Sequence, residues 1–259
     1  MAASALIVDP ATDHDHTHTI ILLHGRDSEA GEFAAEFFEC EATQTQQSLL
    51  ELFPSVRWVF PKANYLHSER FGIEIPQWFD MWSVENHRER SELQIPGLRS
   101  SVRGIVELIR QEELLVPRSN IYLGGISQGF ATALAAFFAD GRGGFAGLCG
   151  FSSWLPLANQ ASAEVALIDG EADQKLAAMQ RLYLGDDTQQ MSFSSQELKS
   201  TPILLQHCRD DDIIGFQSGL YLRDFIENLG ISVEFHEYES GGHWFNEPQG
   251  VNDFVVFLR

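Results

Sequence analysis

Ile121-Tyr-Leu-Gly-Gly-Ile-Ser127-Gln-Gly-Phe130 is the stretch on which the reading of this chain turns. Ile121 to Ile126 is apolar and β-prone, as a buried strand is. From Gln128 to Ala139 the residues are small, apolar and helix-compatible, with Leu134, Phe137 and Phe138 among the alanines. Between them lies Gly125-Ile-Ser127-Gln-Gly129, a G-x-S-x-G pentapeptide. A serine at a sharp strand-to-helix turn is held in a strained backbone conformation with its hydroxyl clear of the sheet. Glycines two residues either side are required because a Cβ there collides where strand and helix converge. The free N–H groups of the helix that follows point at the oxygen of a reacting acyl group. G-x-S-x-G alone is a weak pattern, and a glycine-rich turn that merely contains a serine is the plain alternative. A strand before it and a helix after it make Ser127 a candidate nucleophile.

Such a serine needs a base, and the base needs a carboxylate to orient it. Downstream, Thr201 to His207 reads as a strand and runs into Cys208-Arg-Asp-Asp-Asp-Ile-Ile214. Ile231 to Tyr238 alternates in polarity and runs into Ser240-Gly-Gly-His243-Trp. The order serine, aspartate, histidine, each on a loop after a later strand, suits a hydrolytic triad. Spacing leaves Asp210, Asp211 and Asp212 equally open, and a solvated acidic turn is the bland reading of all three. Of the other histidines, His236 sits within a strand and His207 at a strand end; only His243 has a Gly-Gly lead that lets it reach over a serine. Upstream, Thr19-Ile-Ile-Leu-Leu-His-Gly25 is an apolar run that opens into a loop, whose Arg26 N–H is placed to be a second oxyanion donor. His24 reads as a buried hydrogen-bonding residue that shapes this loop.

The remaining segments alternate between strand and helix patterns, which predicts one α/β domain with a mostly parallel sheet over residues 1–259. Ala5 to Val8 suits a short edge strand. His14, His16 and His18 alternate, so a metal site is conceivable, but an exposed loop or hairpin is the preferred reading because no further ligand cluster stands out. Ser28 is placed as a helix N-cap, with Phe33, Phe37 and Phe38 on one face of that helix. Thr43 to Phe53 reads as a short helix and Val56 to Phe60 as a strand. Lys62 to Pro96 is loop-rich, and its Pro76-Gln-Trp-Phe-Asp-Met-Trp82 run is too aromatic for solvent. Pro96 opens an amphipathic helix to about Leu115. Phe145 to Phe151 reads as a buried strand. The stretch 158–199, acidic and rich in Gln and Ser, reads as an irregular cap-like excursion with one helix near Asp173 to Leu182. Phe216 to Leu229 is a helix closed by Gly230, and a last helix ends near Leu258.

Composition narrows the partners. A net charge of −20 and a pI near 4.7 disfavour nucleic acid and anionic membrane surfaces. No apolar run reaches the length of a membrane span, so stable membrane insertion is not expected. Cys40, Cys149 and Cys208 are odd in number and widely spaced, which suggests reduced thiols in a cytoplasmic protein. Neither a metal nor an organic cofactor is required by the serine chemistry. The oligomeric state stays open, a homodimer included.

Beyond the pentapeptide, several stretches carry a more specific resemblance: Leu-Leu-His-Gly at 22–25, Pro-Gln-Trp-Phe-Asp at 76–80, Gly-Gly-Ile-Ser-Gln-Gly at 124–129, Ser-Trp-Leu-Pro-Leu at 153–157, Gln-His-Cys-Arg-Asp-Asp at 206–211 and Gly-His at 242–243. With these the chain resembles the acyl-protein thioesterase and lysophospholipase-like carboxylesterase family of α/β-hydrolases, nearly end to end. The resemblance implies an α/β-hydrolase fold and a serine hydrolase that cleaves small-molecule or acyl-protein esters and thioesters without a cofactor. It makes Ser127 the nucleophile and His243 the base, and it favours Asp211 over its neighbours. It gives the oxyanion hole to the N–H groups of Gln128 and Arg26, and it implies that Trp154 and Leu155 border the acyl pocket with Trp78 nearby. An acyltransferase, or a binding protein on the same fold, is the alternative. Three departures stand out. The loop reads His-Gly-Arg-Asp-Ser where the thioesterases usually have His-Gly-Leu-Gly-Asp, Phe130 replaces a small residue, and the segment between Leu157 and Thr201 is long. The Arg26 guanidinium therefore has two candidate roles: a brace to Asp27 or Asp80, or a cation that selects anionic substrates.

Overall fold

The computed structural model describes residues 2–42, 47–185 and 192–259. In chain order the elements are β1 (Ala5–Val8), β2 (His18–Leu23), α1 (Ala30–Glu39), the two-residue strands β3 (Glu41–Ala42) and β4 (Gln47–Ser48), α2 (Leu49–Leu52), β5 (Val56–Pro61) and the hairpin β6 (Tyr65–Ser68) and β7 (Ile73–Pro76). There follow α3 (Gln94–Glu112), β8 (Ile121–Ile126), α4 (Gln128–Asp140), β9 (Gly147–Phe151), α5 (Ala158–Ala166), α6 (Ala172–Leu184) and α7 (Ser195–Ser200). The chain closes with β10 (Ile203–Cys208), α8 (Phe216–Asn228), β11 (Val233–Tyr238) and α9 (Gln249–Phe257).

Seven strands form the main sheet in the order β1-β5-β2-β8-β9-β10-β11, and every pairing is parallel except β1 with β5. β2 shows why both faces are covered. Its residues alternate between two cores, Ile20 and Leu22 facing one way, Ile21 and Leu23 the other. The first core takes Phe33 and Phe37 of α1 and Val251 and Phe254 of α9. The second is filled from α3, α4, α6 and α8, among them Val102, Leu134, Met179 and Leu222. After β2 the chain moves outward to β5, and it returns to β8 on the other side of β2. The loops leaving β2 and β8 therefore diverge from neighbouring strands, which opens the crevice where ligands bind open α/β sheets. No helix among the described residues is long and apolar enough to cross a membrane.

Several sequence expectations need correction. Ser28 does not cap α1; Glu29 holds that position and no side chain caps the helix. The helix expected over Thr43 to Phe53 is only Leu49–Leu52, opened by a capping box between Ser48 and Glu51, and positions 43–46 lie outside the described residues. The loop-rich segment contains the β6–β7 hairpin, while its aromatic run is buried as expected, with Trp78, Phe79 and Met81 at 2% exposure or less. The stretch 158–199 is not irregular in its described part, since α5, α6 and most of α7 fall in it. Side chains from it reach neighbouring elements. Tyr183 stacks on Phe138 of α4 and donates to the Pro156 carbonyl, while Gln180 donates to the Ala139 carbonyl. Its Gln- and Ser-rich surface concealed a stripe of Leu176, Met179 and Tyr183 that belongs to the core. His14, His16 and His18 bond Ser55, Thr19 and Thr17 separately, and no metal-binding cluster is found among the described residues.

Candidate active site

Ser127 stands between β8 and α4 with φ 56° and ψ −126°, a conformation that residues other than glycine rarely adopt. Its side chain does not cap α4, so the hydroxyl is not consumed by the helix end. The two flanking glycines are needed where they stand. A Cβ on Gly125 would lie 2.5 Å from the Leu23 carbonyl oxygen, and one on Gly129 would strike the carbonyls of Leu23 and His24. The Ser127 backbone is tied down on both sides. Its N–H donates to the Phe151 carbonyl, and its carbonyl accepts from the Ala131 N–H and the Ser153 hydroxyl.

His243 lies beyond β11, and its Nδ1 is 2.8 Å from Asp211 Oδ2. Asp211, and neither Asp210 nor Asp212, makes this contact. Its carboxylate is buried and fully occupied. Oδ1 accepts from the N–H groups of Ile213 and Ile214, and Oδ2 is shared by His243 and by His207 Nε2 at 3.3 Å. Burial pushes the Asp211 carboxyl up, but the hydrogen bonds from His207, His243 and the Ile214 amide together outweigh it and hold it well below the usual carboxylate range. His207 itself donates from Nε2 to the Ile214 carbonyl, so it secures the turn that carries Asp211. Asp210 points elsewhere. Its two oxygens accept from the N–H groups of Gly241 and Gly242, the residues that lead into His243. Asn246 closes the same loop by donating to the Ser240 carbonyl.

The His24-Gly25-Arg26 loop lies against the elbow, since a Cβ on Gly25 would be 3.8 Å from Ser127 Cβ. His24 is buried; its Nδ1 bonds the Gly25 carbonyl and its Nε2 accepts from the Ala63 N–H, which fixes the neutral tautomer. Burial keeps its pKa low, as suits a residue that shapes the loop. Arg26 turns its guanidinium to Gln77, at 2.9 Å, and to Ser68, at 3.2 Å, with Asp80 at 3.9 Å. It bonds the hairpin segment and is not paired with Asp27. Trp78 donates its indole N–H to the His24 carbonyl, and Gln128 binds both the Trp78 N–H and the Phe79 carbonyl with its amide. The loop, the elbow helix and the aromatic run are thus one hydrogen-bonded unit.

Trp154 and Leu155 follow Ser153 and are buried, as is Trp78. The Trp154 indole N–H and the Ser152 hydroxyl, on either side of Ser153, are buried without a protein partner. Sequence reading missed the side chains of Gln128, Ser153, Asp210 and Asn246. The first three lie inside or beside motifs already singled out, but their partners are 26 to 50 residues away and no spacing rule reveals them. Phe130 is accommodated by Gly150, where a Cβ would meet its ring at 2.5 Å.

Residues 3–180 match the model of the phospholipase/carboxylesterase family. An acyl-protein thioesterase 1 of Yarrowia lipolytica is 30% identical over 234 residues, covering 88% of this chain and 85% of that protein. An acyl-protein thioesterase 1 of Gibberella zeae is 26% identical over 98% of this chain and 94% of its own. Among solved structures, acyl-protein thioesterase 2 of Zea mays superposes with a TM-score of 0.70 at 21% identity, covering 99% of this chain and 97% of that one. Esterase PE8 superposes with a TM-score of 0.66 at 17% identity, covering 100% and 99%. The chain therefore belongs to the phospholipase/carboxylesterase family of α/β-hydrolases, and it is a hydrolase of ester or thioester bonds.

Proposed function

We propose that Ser127, His243 and Asp211 form a catalytic triad that cleaves thioesters or carboxylic esters of acyl chains through an acyl-Ser127 intermediate. The observation that carries this reading is the 2.8 Å contact from His243 Nδ1 to a buried, doubly amide-bonded Asp211, in a chain whose Ser127 is strained at a strand-to-helix elbow. The contact leaves His243 Nε2 as the basic nitrogen. It takes the Ser127 hydroxyl proton as Oγ adds to the acyl carbon, and the low-pKa Asp211 carboxylate stabilises the imidazolium. The N–H groups of Gln128 and Arg26 receive the oxyanion; a donor of this kind is worth roughly 10²–10³ in kcat. The carbon–sulfur or carbon–oxygen bond then breaks, and His243 returns the proton to the departing thiol or alcohol. A water, deprotonated by His243, attacks the acyl-Ser127 carbonyl and frees the acid. We assign Trp154 and Leu155 to the wall of the acyl site beside Ser127, with Trp78 supporting the Arg26 loop from behind.

Acylated proteins are the substrates that the relatives' names suggest, and small esters share the same chemistry. We place the enzyme in the cytoplasm on its three free, buried thiols. A fluorophosphonate probe should label Ser127 in the parent protein and not in Ser127→Ala or His243→Ala. Acyl thioesters of increasing chain length then report the preferred acyl group. Labelling that survives Ser127→Ala removes the nucleophile assignment.

A further inference from the structure

A cavity of about 480 Å³ opens between the 86–88 segment and the start of α8, lined by Asn86, His87, Arg88, Gln217, Ser218 and Tyr221 among others. Its volume is that of a small-ligand site. Its walls belong to elements that neighbour those carrying the candidate triad. α8 leaves the C-terminal end of β10 through the turn that carries Asp211, and the His207 ring packs edge-on against Phe216, the first residue of α8. On the other side His87 lies 5.5 Å from the Trp154 ring, one residue beyond the Ser153 that donates to the Ser127 carbonyl. The cavity thus shares the rim of the sheet on which Ser127 and His243 stand.

The cavity wall carries two arginines, Arg88 and Arg223. With 37 acidic and 17 basic residues, carboxylates are plentiful enough to pair most cations. Arg26 has Asp80, Arg90 has Glu92 and Arg223 has Asp224. Arg88 has no carboxylate partner among the described residues; its guanidinium lies over the Tyr221 ring at 4.6 Å. Stacking holds the guanidinium plane while leaving its N–H edges unused. The carboxylate in the cavity wall, Asp224, accepts two bonds from Arg223, both on Oδ1. His87 is a neutral hydrogen-bonding group, because burial and then the charge of Arg88 push its pKa down to about 4. A guanidinium without a carboxylate partner, beside the polar side chains of Asn86, Gln217 and Ser218, suits a carboxylate or phosphate. It does not suit an alkyl acyl chain.

We propose that this cavity is an anion subsite of the hydrolase, in which Arg88 holds a carboxylate or phosphate on the leaving-group half of the substrate. The assignment rests on the triad reading above. Three butyryl thioesters with the same reacting bond test it: the neutral N-acetylcysteamine thioester, the glutathione thioester with two carboxylates, and the coenzyme A thioester with phosphates. In the parent protein kcat/KM should be at least about tenfold higher for one anionic thioester than for the neutral one. Arg88→Leu should erase that advantage and leave the neutral thioester unchanged, and Arg88→Lys should restore part of it. Preference for the glutathione thioester identifies a carboxylate, and preference for the coenzyme A thioester a phosphate. No anionic advantage in the parent, or an equal loss on all three substrates in Arg88→Leu, overturns the subsite. Labelling by fluorophosphonate and turnover of the neutral thioester report on the triad alone. Calorimetric titration of Ser127→Ala with coenzyme A and with S-methylglutathione needs no turnover. If neither ligand's Kd weakens by about tenfold when Arg88→Leu is added, the subsite falls whatever the triad does.

Discussion

Asp211 accepts four hydrogen bonds or close contacts, from Ile213, Ile214, His207 and His243, so its charge is compensated before any substrate arrives. Asp211→Asn presents an amide to His243 Nδ1 and reverses the tautomer that the base requires, so kcat should fall by about 10³–10⁴. Asp212 is exposed, and Asp212→Asn should stay within about threefold of the parent. Comparable losses in the two variants would dissolve the assignment. The linkage also has a sign. Because the folded Asp211 carboxyl titrates below its unfolded value, its contribution to stability is complete above the ordinary carboxylate range and disappears only in stronger acid. His87 works in the opposite region. Its folded pKa of about 4, below the ordinary 6.5, means the unfolded chain binds a proton that the folded chain does not as pH falls from about 6.5 to 4. Stability should decline across that window, and urea melts of His87→Phe should show less decline between pH 7 and 5 than the parent.

At the scale of elements, the histidine loop is positioned by the residue beside the orienting aspartate. Asp210 holds two successive amides, Gly241 and Gly242, and Asn246 holds the Ser240 carbonyl. Asp210→Asn keeps one of the two acceptor oxygens and should be milder than removal of both. Asp210→Ala frees both amides and should lower kcat by about tenfold with KM nearly constant, since only the approach of His243 loosens. A rise in KM alone would count against this role. The β9–α4 contact offers a packing test. Gly150→Ala forces the Phe130 ring aside and should cost about 1–3 kcal/mol, as overpacked cores do. Combining it with Phe130→Leu should recover much of that loss in chemical denaturation, because the two positions share one volume. Arg26→Leu should weaken neutral and anionic thioesters alike, as its guanidinium is bound to Gln77 and Ser68 and braces the hairpin.

For the molecule as a whole, we propose one cooperative unit that includes the 158–199 segment. The helices of that segment contribute Val165, Leu176 and Tyr183 to the same core as the sheet and α4. Thermal unfolding should then follow a single transition by fluorescence and circular dichroism alike; an early transition confined to this segment would argue for a separable cap. A net charge of −20 repels itself in the compact state, so the midpoint should rise as salt is raised from about 0.01 to 0.15 M, over which the Debye length shortens to about 8 Å.

The sequence by itself determined what is local: the strand–serine–helix elbow, the β/α alternation, the parallel sheet and the order of serine, aspartate and histidine. Each follows from periodicity of apolar residues or from a glycine that must lie beside its neighbour, so each can be read within a window of a few residues. Tertiary structure decided what depends on partners far apart in the chain. Three neighbouring aspartates of equal chemistry acquire different roles only because one faces His243 at 2.8 Å, one faces the amides of Gly241 and Gly242, and one faces solvent. The same reason explains Arg26 and Arg88. Two arginines with the same side chain differ because folding surrounds the first with acceptors and leaves the second above a tyrosine ring at the edge of a cavity.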